Sequence, residues 1–139
     1  MSPYHLLLFI TLSLSVYGDH VTILTQRNFT TTITNTPNVL VMFYAPWSAH
    51  CKALAPRFER AAEILEHKGS RVILAKIDGI ENEELSKNFE IPGYPTLLFF
   101  ENGACSEEYN RTRNTEQIVE WVRERVGAQE DGDEGREEL

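Results

Sequence analysis

Six apolar residues in unbroken succession, Val39-Leu40-Val41-Met42-Phe43-Tyr44, limit what this chain can fold into more than any other segment. A strand with one face in water alternates apolar and polar side chains, whereas a strand covered on both faces need not. The run has strand length, so it predicts an interior strand with helices above and below it. After Ala45-Pro46-Trp47 the period changes. Over 48–67, Leu54, Phe58, Ala61 or Ala62, and Leu65 recur at helical spacing. Lys68-Gly69-Ser70 closes that helix, and Pro56 inside it predicts a kink. A buried strand that feeds an amphipathic helix through a short turn points to an α/β domain.

The rest of the chain extends this pattern. Val21–Leu24 alternates as a short strand, and Arg27–Thr34 is the weakest helix candidate because of its threonine run. Val72–Ile77 is a second buried strand and Glu83–Phe89 a short helix. Thr96–Glu101 and Cys105–Tyr109 flank Asn102-Gly103, a strong hairpin signal. Thr115–Val126 forms an amphipathic helix that turns Ile118, Val122 and Val126 inward and Glu120, Arg123 and Glu124 outward. The order βαβαβαββα predicts one α/β domain, a mixed sheet covered by helices, without internal repeats.

The two ends carry separate signals. Residues 1–18 contain the apolar run Leu6–Val16, too short to span a bilayer, with a cleavage site before Asp19; they are expected to be a secretory signal peptide. No other segment is expected to span a membrane. Of the formal net charge of −8, five units fall on Ala128–Leu139. Residues 127–139 are therefore expected to be an acidic disordered tail, with 19–126 as the folded domain. The near-neutral body lacks the clustered Lys and Arg that nucleic acid requires. The chain ends Arg136-Glu137-Glu138-Leu139, which is similar to lumenal retention signals and implies a retention receptor as a partner. Two cysteines, Cys51 and Cys105, are too few to staple a domain, so the core must supply its stability.

The chemistry is concentrated in Phe43-Tyr44-Ala45-Pro46-Trp47-Ser48-Ala49-His50-Cys51-Lys52, where the buried strand turns into the helix. With Ile91-Pro92-Gly93-Tyr94-Pro95-Thr96, Lys76-Ile77-Asp78, and Tyr109, Arg113, Ile118 and Trp121, this stretch resembles the protein disulfide isomerase family over 19–126. The resemblance implies a thioredoxin fold and a role in protein folding in the endoplasmic reticulum lumen. It also implies a cis-proline at Pro95 and extended client polypeptides as partners, bound near Trp47, His50, Tyr94 and Pro95. Family members carry Cys-x-x-Cys at the helix start. The first thiol, favoured as thiolate by the helix amides, attacks a disulfide, and the second resolves the mixed disulfide. By resemblance, Arg113 assists the second thiol; as a residue it reads equally well as a solvated loop arginine.

At the decisive position the chain departs from the family, because Ser48 stands where the nucleophile belongs. A serine hydroxyl forms no disulfide, and serine is among the best helix N-caps, so Ser48 is expected to be inert. Cys51 remains at the resolving position, where its spacing to Leu54 and Phe58 turns it toward the core. It reads either as a buried small apolar residue or as a slow lone thiol. Met42 stands where many members have a buried glutamate facing the lysine matched by Lys76. His50 is expected to be an exposed residue of the first helical turn. Cys105 lies at the far end of a strand, too far to bond Cys51. Asn28-Phe29-Thr30 and Asn110-Arg111-Thr112 are glycosylation sequons. No metal site and no cofactor are expected. Three functions stay open: a non-oxidising folding helper that holds clients, a weak monothiol exchange enzyme acting through Cys51, and a non-catalytic adaptor.

Overall fold

In a computed structural model, residues 20–137 are described, with side chains described through Gly127. The expected signal segment, Glu138 and Leu139 lie outside the described residues, and Arg136 and Glu137 are described only as backbone.

The elements are β1 (Thr22–Leu24), α1 (Phe29–Asn35), β2 (Asn38–Tyr44), α2 (Ala49–His67), β3 (Val72–Asp78), α3 (Glu83–Asn88), β4 (Thr96–Glu101), β5 (Ala104–Glu108) and α4 (Thr115–Glu137). Their order is the one expected from sequence. They build one five-stranded sheet, β1-β3-β2-β4-β5, with β1, β3 and β2 parallel and β4 and β5 antiparallel. This is the thioredoxin fold.

β2 is the spine, paired with β3 on one side and β4 on the other. Its alternate side chains feed two cores. Leu40 and Met42 point to the layer of α2 and α4, joining Leu54, Phe58, Leu65, Ile118, Trp121 and Val122. Val39, Val41 and Phe43 point to the other layer, with Phe29 and Ile33 of α1 and, from the α3 region, Leu85 and Phe89. Burial on both faces explains the unbroken apolar run. α1 forms despite its threonines because Phe29 and Ile33, four residues apart, both reach this core.

The terminations follow local chemistry. Gly69, at φ +68°, ends α2, with its N–H donating to the Glu66 carbonyl and Ser70 N–H donating to the Leu65 carbonyl. Asn102 and Gly103, both at positive φ, make the tight β4–β5 turn. α4 continues as helical backbone past Val126, the limit expected from sequence. Its backbone helix runs to Glu137, within the 127–139 stretch expected from composition to be an acidic tail. No helix among the described residues is long and apolar enough to cross a membrane.

The hairpin is clamped to α4 by Arg125. Its guanidinium lies 3.5 Å from the Trp121 ring centroid, and its Nε donates to the Glu107 carboxylate at 2.7 Å. Trp121 in turn meets Phe99 and Tyr109 edge-on, with centroids 5.5 and 5.2 Å away. Trp121→Ala is expected to cost about 3–5 kcal/mol in urea denaturation, as for other large buried aromatics. Arg125 donation holds the Glu107 carboxyl below its ordinary range. A depressed carboxyl stabilises the fold above its unfolded pKa, and that stabilisation is lost as pH falls through the folded value. Glu107→Gln should therefore lower the denaturation midpoint at neutral pH and flatten its decline on acidification.

Candidate functional site

The C-terminal ends of β2 and β3 and the start of β4 meet at one end of the sheet, because β2 and β3 are parallel and β4 runs back along β2. Ser48 is the N-cap of α2 at φ −75° and ψ 125°, and its Oγ accepts from Cys51 N–H at 3.3 Å. Ser48 N–H donates to the Ala45 carbonyl, so the turn after β2 is closed by backbone. The Ser48 hydroxyl thus satisfies one of the free amides of the helix end.

Cys51 is 4% exposed, on the stripe of Leu54 and Phe58. It borders a cavity of about 130 Å³ together with Met42, Tyr44, Lys52, Ala55 and Lys76. Met42 and Lys76 are direct cross-strand neighbours, and Lys76 Nζ sits 5.9 Å from the Tyr44 ring centroid. Burial, with the carboxylates of Asp78 and Glu81 adding to it, pushes the Tyr44 phenol above its ordinary pKa. Cys105 is free, exposed and on β5, paired with Phe100, which pairs with Val39 at the opposite end of β2. The two thiols are therefore separated by about the length of β2, roughly 17 Å at the rise of a strand, beyond the reach of a disulfide. Burial also pushes the Cys105 thiol up.

Facing the α2 start is the loop before β4. The Tyr94–Pro95 bond is cis. Arg113 Nη2 donates to the Pro95 carbonyl at 2.8 Å, and Thr96 Oγ1 donates to the Gly93 carbonyl. Arg113 thus holds the proline loop from outside. Trp47 is 70% exposed and stands out from the protein, whereas Tyr94 is half-buried with its hydroxyl turned inward. His50 is exposed on the first turn of α2. The structure therefore gathers Trp47, Ser48, His50, Cys51, Tyr94, Pro95 and Arg113 at one end of the sheet.

The sequons lie elsewhere. Asn28 is committed to its own loop, with Oδ1 accepting from Thr25 N–H and Nδ2 donating to the Ile23 carbonyl. Asn110 is exposed after β5. Among the described residues no three His, Cys, Asp or Glu side chains gather as metal ligands. Gly79 and Ser86, which touch Tyr94, were not singled out by sequence; the only sign of them was the Asp78-Gly79 pair at the end of a strand.

Comparison with known proteins agrees with this geometry. Residues 20–124 match the family described as Thioredoxin. Protein disulfide-isomerase 1 of Caenorhabditis elegans is 46% identical over 110 residues, and protein disulfide-isomerase of Gallus gallus 44% over 111. These alignments cover 79% and 78% of this chain but 22% of each relative, so the chain spans about a fifth of their length. The solution structure of the first thioredoxin domain of mouse protein disulfide-isomerase A4 aligns at TM-score 0.70 and 36% identity, over 77% of this chain and 76% of that one. Human ERp44 aligns at TM-score 0.73 and 27% identity, over 79% of this chain and 30% of that one. With its sheet order, its strand-to-helix turn and its cis-proline loop, the chain belongs to the thioredoxin family and, within it, to the domains of protein disulfide isomerases.

Proposed function

We propose that the protein is a lumenal member of this group that holds folding clients without running a dithiol cycle. One observation carries the reading: Ser48 caps α2 where a thiol would act, while Cys51 is buried behind it and Cys105 is at the other end of the sheet. A dithiol oxidase stores its oxidising equivalents in a bond between two cysteine sulfurs, and this site has one thiol. What the site keeps is a platform for extended polypeptide, with exposed Trp47 on one side and the Pro95 loop on the other. The address is read from 1–18 and from Arg136-Glu137-Glu138-Leu139, which together imply retention in the endoplasmic reticulum. Both sequon asparagines are exposed, but Asn28 is held by bonds within its own loop, which leaves Asn110 as the favoured acceptor.

A second reading has one observation in its favour. Cys51 lines a cavity of about 130 Å³ together with Lys52 and Lys76, and slow exchange through that lone thiol is the activity such an opening favours.

Iodoacetamide should label Cys105 in the folded protein and reach Cys51 only on unfolding; fast native labelling of Cys51 favours the monothiol reading. In insulin-reduction and client-oxidation assays the natural protein should turn over little, and Ser48→Cys should gain strongly. Equal activity of both forms, abolished by Cys51→Ala, would overturn the proposal. Residues appended after Leu139 should cause secretion of a protein otherwise kept in the cell, and unchanged retention would refute the address.

A further inference from the structure

Gly79, just after β3, leaves a space that the Tyr94 ring fills. A Cβ at Gly79 would stand 2.3 Å from Tyr94 Cε1 and 2.8 Å from both Cζ and the hydroxyl oxygen. Ser86 donates to the Gly79 carbonyl at 2.8 Å. The Tyr94 hydroxyl lies 3.2 Å from that carbonyl oxygen and 3.1 Å from Ser86 Oγ. The seat itself is anchored. Gly79 N–H donates to the Tyr44 carbonyl at 2.8 Å, and the Asp78 carboxylate accepts from the N–H groups of Ile80 and Glu81.

The colliding atoms are the far end of a side chain with two rotatable bonds, so a methyl group at Gly79 expels the ring rather than distorting the sheet. With Arg113 holding the Pro95 carbonyl, the loop backbone stays in place, and the half-buried ring leaves through its solvent-facing side, toward the exposed surface at this end of the sheet. On that surface Trp47 is 70% exposed and Ile80, next to the seat, 47% exposed.

We propose that Gly79 and Ser86 are positioning residues that set client specificity: they draw the Tyr94 phenol inward, and the surface between Trp47 and Pro95 thereby accepts an extended polypeptide segment bearing a bulky apolar side chain. This rests on the client-holding reading above. An expelled Tyr94 ring competes with a bulky client side chain and little with a small one. The effect is therefore on the ratio of affinities, which a general loss of stability does not change.

The test uses the full chain and a series of labelled extended peptides that differ at one central residue, Trp, Leu or Ala, with binding read by fluorescence anisotropy. The natural protein should prefer the Trp and Leu peptides over the Ala peptide by about tenfold or more, the scale on which apolar pockets discriminate size. Gly79→Ala should bring the ratio close to parity, and Ser86→Ala should move it the same way by less. Gly79→Ala combined with Tyr94→Ala, which removes the displaced ring, should restore the preference. Should Gly79→Ala fail to fold, Ser86→Ala decides. Ring-labelled Tyr94 NMR signals, recorded without peptide, should shift in Gly79→Ala. Peptide binding with an unchanged ratio in these variants overturns the specificity assignment alone, as do unmoved Tyr94 signals. Displaced Tyr94 signals with no peptide bound by any form overturn the client reading, and the specificity assignment with it.

Discussion

The structure depends on the burial of β2 on both faces. One strand supplies Leu40 and Met42 to the core under α2 and α4, and Val39, Val41 and Phe43 to the core under α1 and α3. Neither layer has a floor without it. Because β2 is interior, its end is also the place where the chain must leave the sheet and where α2 must begin. The start of a helix brings unpaired amides to that point, and β3 ends beside it in parallel register. The site is thus located by packing before any reactive residue is chosen.

Much of this was legible in the sequence because each signal was local. The unbroken run 39–44 stated two-sided burial, Asn102-Gly103 stated the hairpin, and Ser48 stated the cap. α1 was harder, since threonines argue against a helix and only the distant partners Phe89 and Phe100 of Phe29 argue for it. The continuation of α4 backbone past Val126 leaves no trace in the sequence, because the apolar spacing that marks the helix stops there. The functional residues divide the same way. Cys51 turning inward followed from its spacing to Leu54, but the seat of Tyr94 joins residues 79, 86 and 94 from two loops and α3 and leaves no periodic trace.

The departures from the family pattern are physically consistent with one another. A dithiol cycle needs a paired thiol and a route for protons. Here the partner position is a hydroxyl engaged with a backbone amide, and the strand position facing Lys76 is the thioether Met42. Around Cys51 the structure combines a buried stripe and the apolar neighbour Met42 on the central strand with a small cavity whose wall includes Lys52 and Lys76.

The cap at Ser48 has a thermodynamic side as well. A capping oxygen contributes about 0.5–2 kcal/mol to the helix it starts, and a long bond of 3.3 Å places this one toward the weaker end. Sulfur is a poorer acceptor than a hydroxyl oxygen. An active sulfur at residue 48 and a well-capped α2 are therefore competing demands on a single side-chain atom. With serine there, the side-chain atom at the start of α2 serves the helix, whose inner stripe reaches from Cys51 to Leu65.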